Sequence, residues 1–267
     1  MLSYINWTVD PEIFGFWVIH VRWYGLLFAS GFAIGYVLTQ RVFRAEKMPE
    51  AWLDYLLMAL VIGAIVGARL GHVFFYQWDY YQDHLLEIPQ IWKGGLASHG
   101  GALGVFLTLW MFSRWVSKRP LLWVTDRIAM SVALTGTCIR LGNLMNHEIV
   151  GAPTEVAWAF LFHRYEADPI PRHPAQLYEA LAYLLIFVFL YWQFWYTQAK
   201  AQLGKLTGYF LVLVFGARFF IEFFKEVQVE KELTMTLNLG QWLSLPLILA
   251  GLWLVFGQRR MMKNQTK

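Results

Sequence analysis

The chain has 267 residues, of which 58% are hydrophobic, 18% aromatic and only 15% charged. A soluble domain carries about 25% charged residues, so this composition excludes one and specifies an integral membrane protein. The net charge of +4 gathers into no basic stripe, which argues against a nucleic-acid partner; the single cysteine, Cys138, excludes an internal disulfide and any cysteine metal cluster.

Met1 to Pro11 has neither the basic start nor the small-residue cleavage site of a signal peptide, so the first apolar stretch is read as a retained anchor. Crossing the hydrocarbon core needs about 20 apolar residues. Seven such stretches are predicted, at roughly 17–40, 52–75, 95–116, 121–142, 176–196, 206–224 and 239–257. The third is glycine-rich where it begins, which leaves open a full crossing or a broken, re-entrant segment. With no repeat and no low-complexity linker, the expectation is one all-α polytopic membrane domain over residues 1–267, with a small head formed by the loop at about 143–175.

Lysine and arginine favour cytoplasmic loops. The loops after the first, third and fifth stretches, with the C-terminal tail, hold 12 of them; the loops after the second, fourth and sixth hold 5. This bias predicts an N-terminus outside, a C-terminus in the cytoplasm and the 143–175 loop outside. Trp17, Trp23, Tyr76, Trp78, Tyr80, Tyr81 and Trp92 then form an outer aromatic belt.

Unusual polarity collects at that outer depth. Arg22-Trp-Tyr-Gly25, Arg69 with His72, Ser98-His99-Gly-Gly101, Arg140 to Gly151, His173-Pro-Ala-Gln-Leu-Tyr-Glu179 and Arg218 with Glu222 all reach it. The densest is Arg140 to Gly151, where Arg140, Asn143 and Asn146 recur every third residue and a continuing helix would put them roughly on one side. A buried arginine needs a carboxylate, carbonyls or a ligand phosphate. Arg69, Arg140 and Arg218 face only Glu148, Glu179 and Glu222 at this depth, which points to an anionic ligand such as a phospholipid headgroup.

Each piece also has a plainer reading. His99 between small residues serves equally as a core histidine beside close helix contacts. Arg218 and Glu222, four apart, can neutralise each other, and Arg69 with His72 reads more as structure. His173-Pro174 suits a helix start, Tyr24 suits the belt, and Cys138 suits a buried, inert thiol. There is no Gly-x-Ser-x-Gly elbow, His-Glu-x-x-His pair or Walker loop, so a serine hydrolase, zinc protease or ATPase is unsupported.

The order of these motifs resembles the phosphatidylglycerol–prolipoprotein diacylglyceryl transferase family. The matching residues are Arg22-Trp-Tyr-Gly25, Gly67-Ala-Arg-Leu70, His99-Gly-Gly101 with Gly104, Arg140-Leu-Gly-Asn143 through Asn146-x-Glu148-x-x-Gly151, His173 to Glu179, Arg218-Phe-x-x-Glu222-Phe, and Gly240-Gln241 with Ser244 and Pro246. They run from residue 22 to 246, and the Arg140–Gly151 block is the family signature. One departure stands out: the family's tyrosine four residues before the sixth-stretch arginine is Val214 here.

The resemblance implies transfer of the diacylglyceryl group of phosphatidylglycerol to the lipobox cysteine thiol of a prolipoprotein signal peptide, giving a thioether and releasing glycerol phosphate. It implies a bacterial inner-membrane enzyme with its active site toward the outer face, no cofactor and no metal. Arg140 and Arg218 are then expected at the phosphate, and Asn143 and Asn146 at headgroup hydroxyls or peptide backbone. Glu148 and Glu222 would orient the arginines, His99 would act as base with Tyr24 beside it, and Gly151 would complete the binding segment. His147 matches no motif position and is expected to face solvent. Two other classes stay open: a transporter, disfavoured because no inverted repeats or paired broken helices are seen, and a lipid-binding protein that releases no headgroup.

Overall fold

The computed structural model describes residues 4–16, 19–227 and 235–257. Trp17, Lys231 and the basic residues of the tail, counted above, lie outside the described residues. In chain order come strands β1 (Ile5–Trp7), β2 (Glu12–Phe16) and β3 (Ile19–Arg22), then helices α1 (Trp23–Ala45), α2 (Ala51–Tyr76), the one-turn α3 (Trp78–Tyr81), α4 (Ser98–Met111) and α5 (Leu121–Met145). Strands β4 (Phe160–Phe162) and β5 (Pro171–Arg172) follow, and then α6 (Ala175–Tyr196), α7 (Lys205–Ile221) and α8 (Leu239–Leu252).

Among the described residues, six helical segments are long and apolar enough to cross a membrane: α1, α2, α5, α6, and the stretches Lys205–Phe224 and Leu239–Gly257 built on α7 and α8. The seventh expected stretch, α4, has only 14 residues before a π-helical turn, Phe112–Ser117. α2 shows why these segments belong in lipid. Its mean hydropathy is 2.0, yet Met58, Ile62, Val66 and Leu70 are uncovered by protein. An apolar face with no protein over it requires hydrocarbon as solvent.

The first apolar stretch begins later than expected, because residues 12–16 and 19–22 are extended: β2 and β3 pair antiparallel, and α1 starts only at Trp23. The 143–175 loop is also not irregular. β4 pairs in parallel with β1 and antiparallel with β5. Phe160 and Phe162 of β4 close over Leu144 and Val150, with Trp7 packed against them. Trp7 Nε1 donates to the Leu144 carbonyl at 3.0 Å, tying this small sheet to the end of α5. The fold is therefore mostly helical with a small β cap, rather than wholly α.

Contacts divide the chain into two compact units, residues 1–38 with 126–267, and residues 39–125. In the first, α1 lies close along α5: Ser131 Oγ donates to the Gly35 carbonyl at 2.9 Å and Thr135 Oγ1 to the Gly31 carbonyl at 3.1 Å. Cys138 is buried at this contact, as expected of an inert thiol. Asp126, fully buried on α5, accepts from Gly204 N, Thr207 N and Thr207 Oγ1, each at 2.7 Å, and so caps the start of α7. In the second unit, α4 packs on α2 through closely apposed glycines, with Thr108 Oγ1 donating to the Ala59 carbonyl at 3.4 Å. A methyl at Gly67 would lie 2.8 Å from Gly104 Cα, and one at Gly71 would lie 2.7 Å from Gly100 Cα. The glycine-rich start of the third stretch thus serves close helix contact through an unbroken helix.

The cap makes an acid-sensitivity prediction. Arg172 bonds Glu166 at 2.9 Å through both Nε and NH2, and also bonds Glu226. The Arg172 bonds hold the Glu166 carboxyl below its usual range, and burial holds His173 below the usual histidine range. Both folded-state values are depressed, so the unfolded chain takes protons first and stability falls as pH drops. His173 contributes as pH falls below about 6.5, and Glu166 below the usual carboxylate range of about 4.3. Protection factors at β4 and β5, corrected for the intrinsic exchange rate, should fall between pH 7 and 5 and again below 4; flat protection factors over that range would contradict these assignments.

Candidate active site

The site in the first unit begins with how α5 ends. His147 N bonds the Leu144 carbonyl at 3.2 Å and Glu148 N reaches back to the Asn143 carbonyl at 2.9 Å. This paired closure is a Schellman motif, with the left-handed position, usually glycine, occupied by His147 at φ 55°. His147 is 3% exposed, so the expectation that it faces solvent is wrong. Its Nε2 donates to the Val9 carbonyl at 2.9 Å and its ring meets Phe162 edge-on, which holds a non-glycine residue in the left-handed region.

The motif turns the Glu148 side chain back toward α5. Its two carboxylate oxygens accept from Asn143 Nδ2 at 3.2 Å and Asn146 Nδ2 at 3.1 Å. Asn143 Oδ1 in turn accepts from Arg140 NH1 at 3.4 Å. The expected grouping of Arg140, Asn143 and Asn146 is present, but Asn146 joins it through Glu148 rather than along the helix. Glu148 orients the asparagines, not the arginines.

The partner of Arg140 is Glu179 of α6, which is fully buried; Arg140 Nε stands 3.0 Å from Glu179 Oε2 as an ion pair, without the alignment of a hydrogen bond. Lys225 Nζ lies 3.2 Å from Glu179 Oε1 and 3.0 Å from Glu222 Oε2. The Tyr183 hydroxyl donates to Glu179 Oε1 at 3.4 Å and interacts electrostatically with Arg140 and Arg218. The sequence spacing invites an Arg218–Glu222 pair, but Glu222 bonds Lys225 instead. Among the described residues, half-buried Arg218 has no carboxylate within ion-pair distance. Three cations (Arg140, Arg218, Lys225) thus share the cluster with three carboxylates (Glu148, Glu179, Glu222), and Arg218 is the cation left without a carboxylate at ion-pair distance among the described residues.

Asn146 Oδ1 and Gln176 Oε1 are among the acceptors buried there without a donor. Gln176 Nε2 is committed to the Glu148 carbonyl at 2.6 Å, which fixes which way its amide points. Gly151 closes the segment. It bridges Lys225, its N–H bonds the His173 carbonyl at 2.9 Å, and Ala152 N bonds the Phe224 carbonyl at 2.9 Å. Tyr24 stands at the start of α1 over Gly142, where a methyl would lie 2.9 Å from its ring, and stacks on Phe28.

In the second unit, Arg69 is 3% exposed and spent on structure. It donates to the carbonyls of Glu87, Ile88 and Gly94 at 2.6 to 2.8 Å, with its guanidinium 5.0 Å from the Tyr81 ring centre. It is not surplus charge for a ligand; it fixes the loop that leads into α4. His99, exposed in the first turn of α4, lines a cleft with His72, Tyr76, Leu96 and Ala97. Among the described residues its ring nitrogens have no hydrogen bond, and its ring contacts Phe75 and Tyr76 at 5.7 and 5.5 Å. No group of metal-binding side chains occurs among the described residues.

Residues 11–257 match the family model described as prolipoprotein diacylglyceryl transferase. The chain belongs to this family. Curated relatives named phosphatidylglycerol–prolipoprotein diacylglyceryl transferase include one from Chloroherpeton thalassium, 47% identical over 254 residues, covering 95% of this chain and 94% of the relative. One from Tolumonas auensis is 49% identical over 249 residues, covering 93% and 95%. One from Porphyromonas gingivalis is 42% identical over 275 residues, covering 98% and 96%. The match extends through the whole helical set, so the polar cluster around Arg140 lies within the transferase body itself. Glu179 and Lys225 carry the ionic framework there. Glu179 ends the His173–Glu179 motif and Lys225 falls in the loop after the sixth stretch; the three-residue spacing of Lys225 from Glu222 is the one sequence signal that joins it to the site.

Proposed function

We propose that the chain transfers the diacylglyceryl group of phosphatidylglycerol to the lipobox cysteine of a prolipoprotein, the first step of lipoprotein maturation. The observation that carries this reading is Arg218, a half-buried guanidinium with no carboxylate at ion-pair distance among the described residues, which suits the single negative charge of a phosphodiester. The cysteine sulfur attacks the glyceryl carbon, a C–S bond forms, and the C–O bond to phosphate breaks. The thiol proton is removed, and the bonding electron pair leaves with glycerol phosphate, whose phosphate gains the charge. Arg140 and Arg218 are assigned to that developing charge, where donors already in place are most effective. Asn146 Oδ1 and Gln176 Oε1 suit hydroxyl donors such as those of the glycerol headgroup. Asn143 links Arg140 to Glu148, and Glu222 acts through Lys225. His99 is assigned as the base for the thiol, whose ordinary pKa is about 8.5, with Tyr24 beside the binding segment.

In the same reading the chain is one domain of a bacterial inner membrane with seven crossings. The N-terminus and the β cap lie outside, the C-terminus lies in the cytoplasm, and the active site faces the outer side. The lysine and arginine bias supports this topology.

The deciding experiment mixes the purified protein, phosphatidylglycerol and a lipobox peptide, and measures glycerol phosphate. Release coupled to peptide lipidation is expected; binding without release would favour a lipid-binding protein, and lipid movement without release a transporter. Arg218→Gln should raise KM for phosphatidylglycerol at least about tenfold, the value of one charge-assisted contact. An unchanged KM removes Arg218 from the phosphate. His99→Gln should lose about 100-fold in rate and flatten the pH profile between pH 6 and 9; a full rate across that range assigns the base elsewhere.

A further inference from the structure

Arg218 and Glu222 occupy one helical face, four residues apart, where an arginine and a glutamate ordinarily pair. In this fold they do not. Glu222 Oε2 lies 3.0 Å from Lys225 Nζ, and Lys225, with a side chain only 3% exposed, spans to Glu179 Oε1 at 3.2 Å. Lys225 cannot drift away, because its backbone bridges Gly151 and the following N–H, of Glu226, bonds the Val150 carbonyl at 3.3 Å. The other side of the Glu222 carboxylate rests on Gly240 at the start of α8, where a methyl would come within 3.0 Å of its carboxyl carbon and 3.2 Å of each oxygen. One residue pulls the carboxylate toward Glu179 and another leaves it room to go.

We infer that Lys225 is a positioning residue that reserves Arg218 for the substrate anion by holding Glu222 away from it. The inference rests on the reading of Arg218 as a phosphate ligand. Without the ammonium group, the nearest cation on Glu222's own helix is Arg218. A carboxylate in this setting would turn to it, since an uncompensated charge away from water is costly. The substrate phosphate would then have to displace an internal carboxylate from the guanidinium.

The test compares KM and kcat for phosphatidylglycerol in four variants of the full-length protein. Lys225→Met should raise KM at least about tenfold while kcat at saturating lipid changes much less, the loss expected when a charge-assisted contact is occupied. Lys225→Arg should stay within about threefold of the parent, because a guanidinium can also hold Glu222. Adding Glu222→Gln to Lys225→Met should return KM most of the way, since the competing charge is gone. A purely structural lysine predicts no such rescue. An unchanged KM in Lys225→Met, or a folded double variant as impaired as the single one, overturns the inference. If Lys225→Met does not fold, Lys225→Gln, whose shorter, neutral side chain leaves the Glu222 charge uncompensated, takes its place: a smaller rise in KM, again reversed by Glu222→Gln, is expected, and an unchanged KM overturns the inference. Arg218→Gln separates the two failures: no effect there sinks the phosphate assignment itself, whereas a raised KM there with an indifferent Lys225→Met sinks only the role of Lys225.

Discussion

Replacement of Gly151 by alanine is expected to abolish lipidation and to destabilise the protein by about 3 kcal/mol, the upper part of the range for forced overpacking. The reason is local. A methyl at Gly151 would overlap the His173 carbonyl oxygen, and would lie 2.5 Å from His173 Cβ and 2.7 Å from the Phe224 carbonyl oxygen. Two of these are backbone atoms of hydrogen-bonded segments, so they cannot swing aside as a side chain would. The same position joins the ends of three elements: the signature segment after α5, the lead into α6 and the end of α7. Pushing them apart moves Glu148 from the asparagines and Lys225 from its two carboxylates together. Gly216→Ala is the control, since nothing lies within 4 Å of a methyl there. It should preserve activity and stabilise α7 by up to about 1 kcal/mol, the helix preference of alanine over glycine. A Gly151→Ala protein with parental melting temperature and turnover would mean that the junction tolerates separation.

The membrane-spanning helices were legible because apolar length alone identifies them, and the signature because five polar side chains in nine residues stand out against lipid. What lay hidden depended on partners distant in sequence. Nothing in His99-Gly-Gly101 reveals that Gly100 and Gly104 meet Gly67 and Gly71, which is why the third stretch looked breakable. β1 and β4 are three residues each, too short for alternation to show, and residues 12–22 are apolar enough to pass for the start of a helix. His147 gives no signal of its place in a Schellman motif, because glycine is the expected residue there. Arg218 and Glu222 gave a positive but misleading signal: their spacing fits a pair, and only the fold shows that Lys225 has taken the carboxylate. Arg140 likewise has its acid in Glu179, 39 positions along the chain, at a distance no local pattern records. Sequence spacing ranks candidate partners; burial and the competition among charges decide between them.

That competition also sets the expected result at Arg140. Arg140→Ala should lower turnover by 10³-fold or more, at the upper end of what removing one preorganised donor costs, because it removes more than a donor. The guanidinium anchors Asn143 and compensates Glu179, so its loss loosens the Asn143–Glu148–Asn146 chain as well as the phosphate contact. Stability should fall less than the usual cost of breaking a buried ion pair, about 3–5 kcal/mol, because Lys225 still contacts Glu179. Arg140→Lys separates charge from shape. An ammonium can satisfy Glu179 and keep the melting temperature near that of the parent, but it cannot contact carboxylate, asparagine and phosphate at once from one planar fork. The expected outcome is a folded protein with turnover reduced about 100-fold. Full activity in Arg140→Lys, measured as glycerol phosphate release, would show that a point charge suffices at this position and that the planar guanidinium geometry on which the phosphate assignment rests is not used.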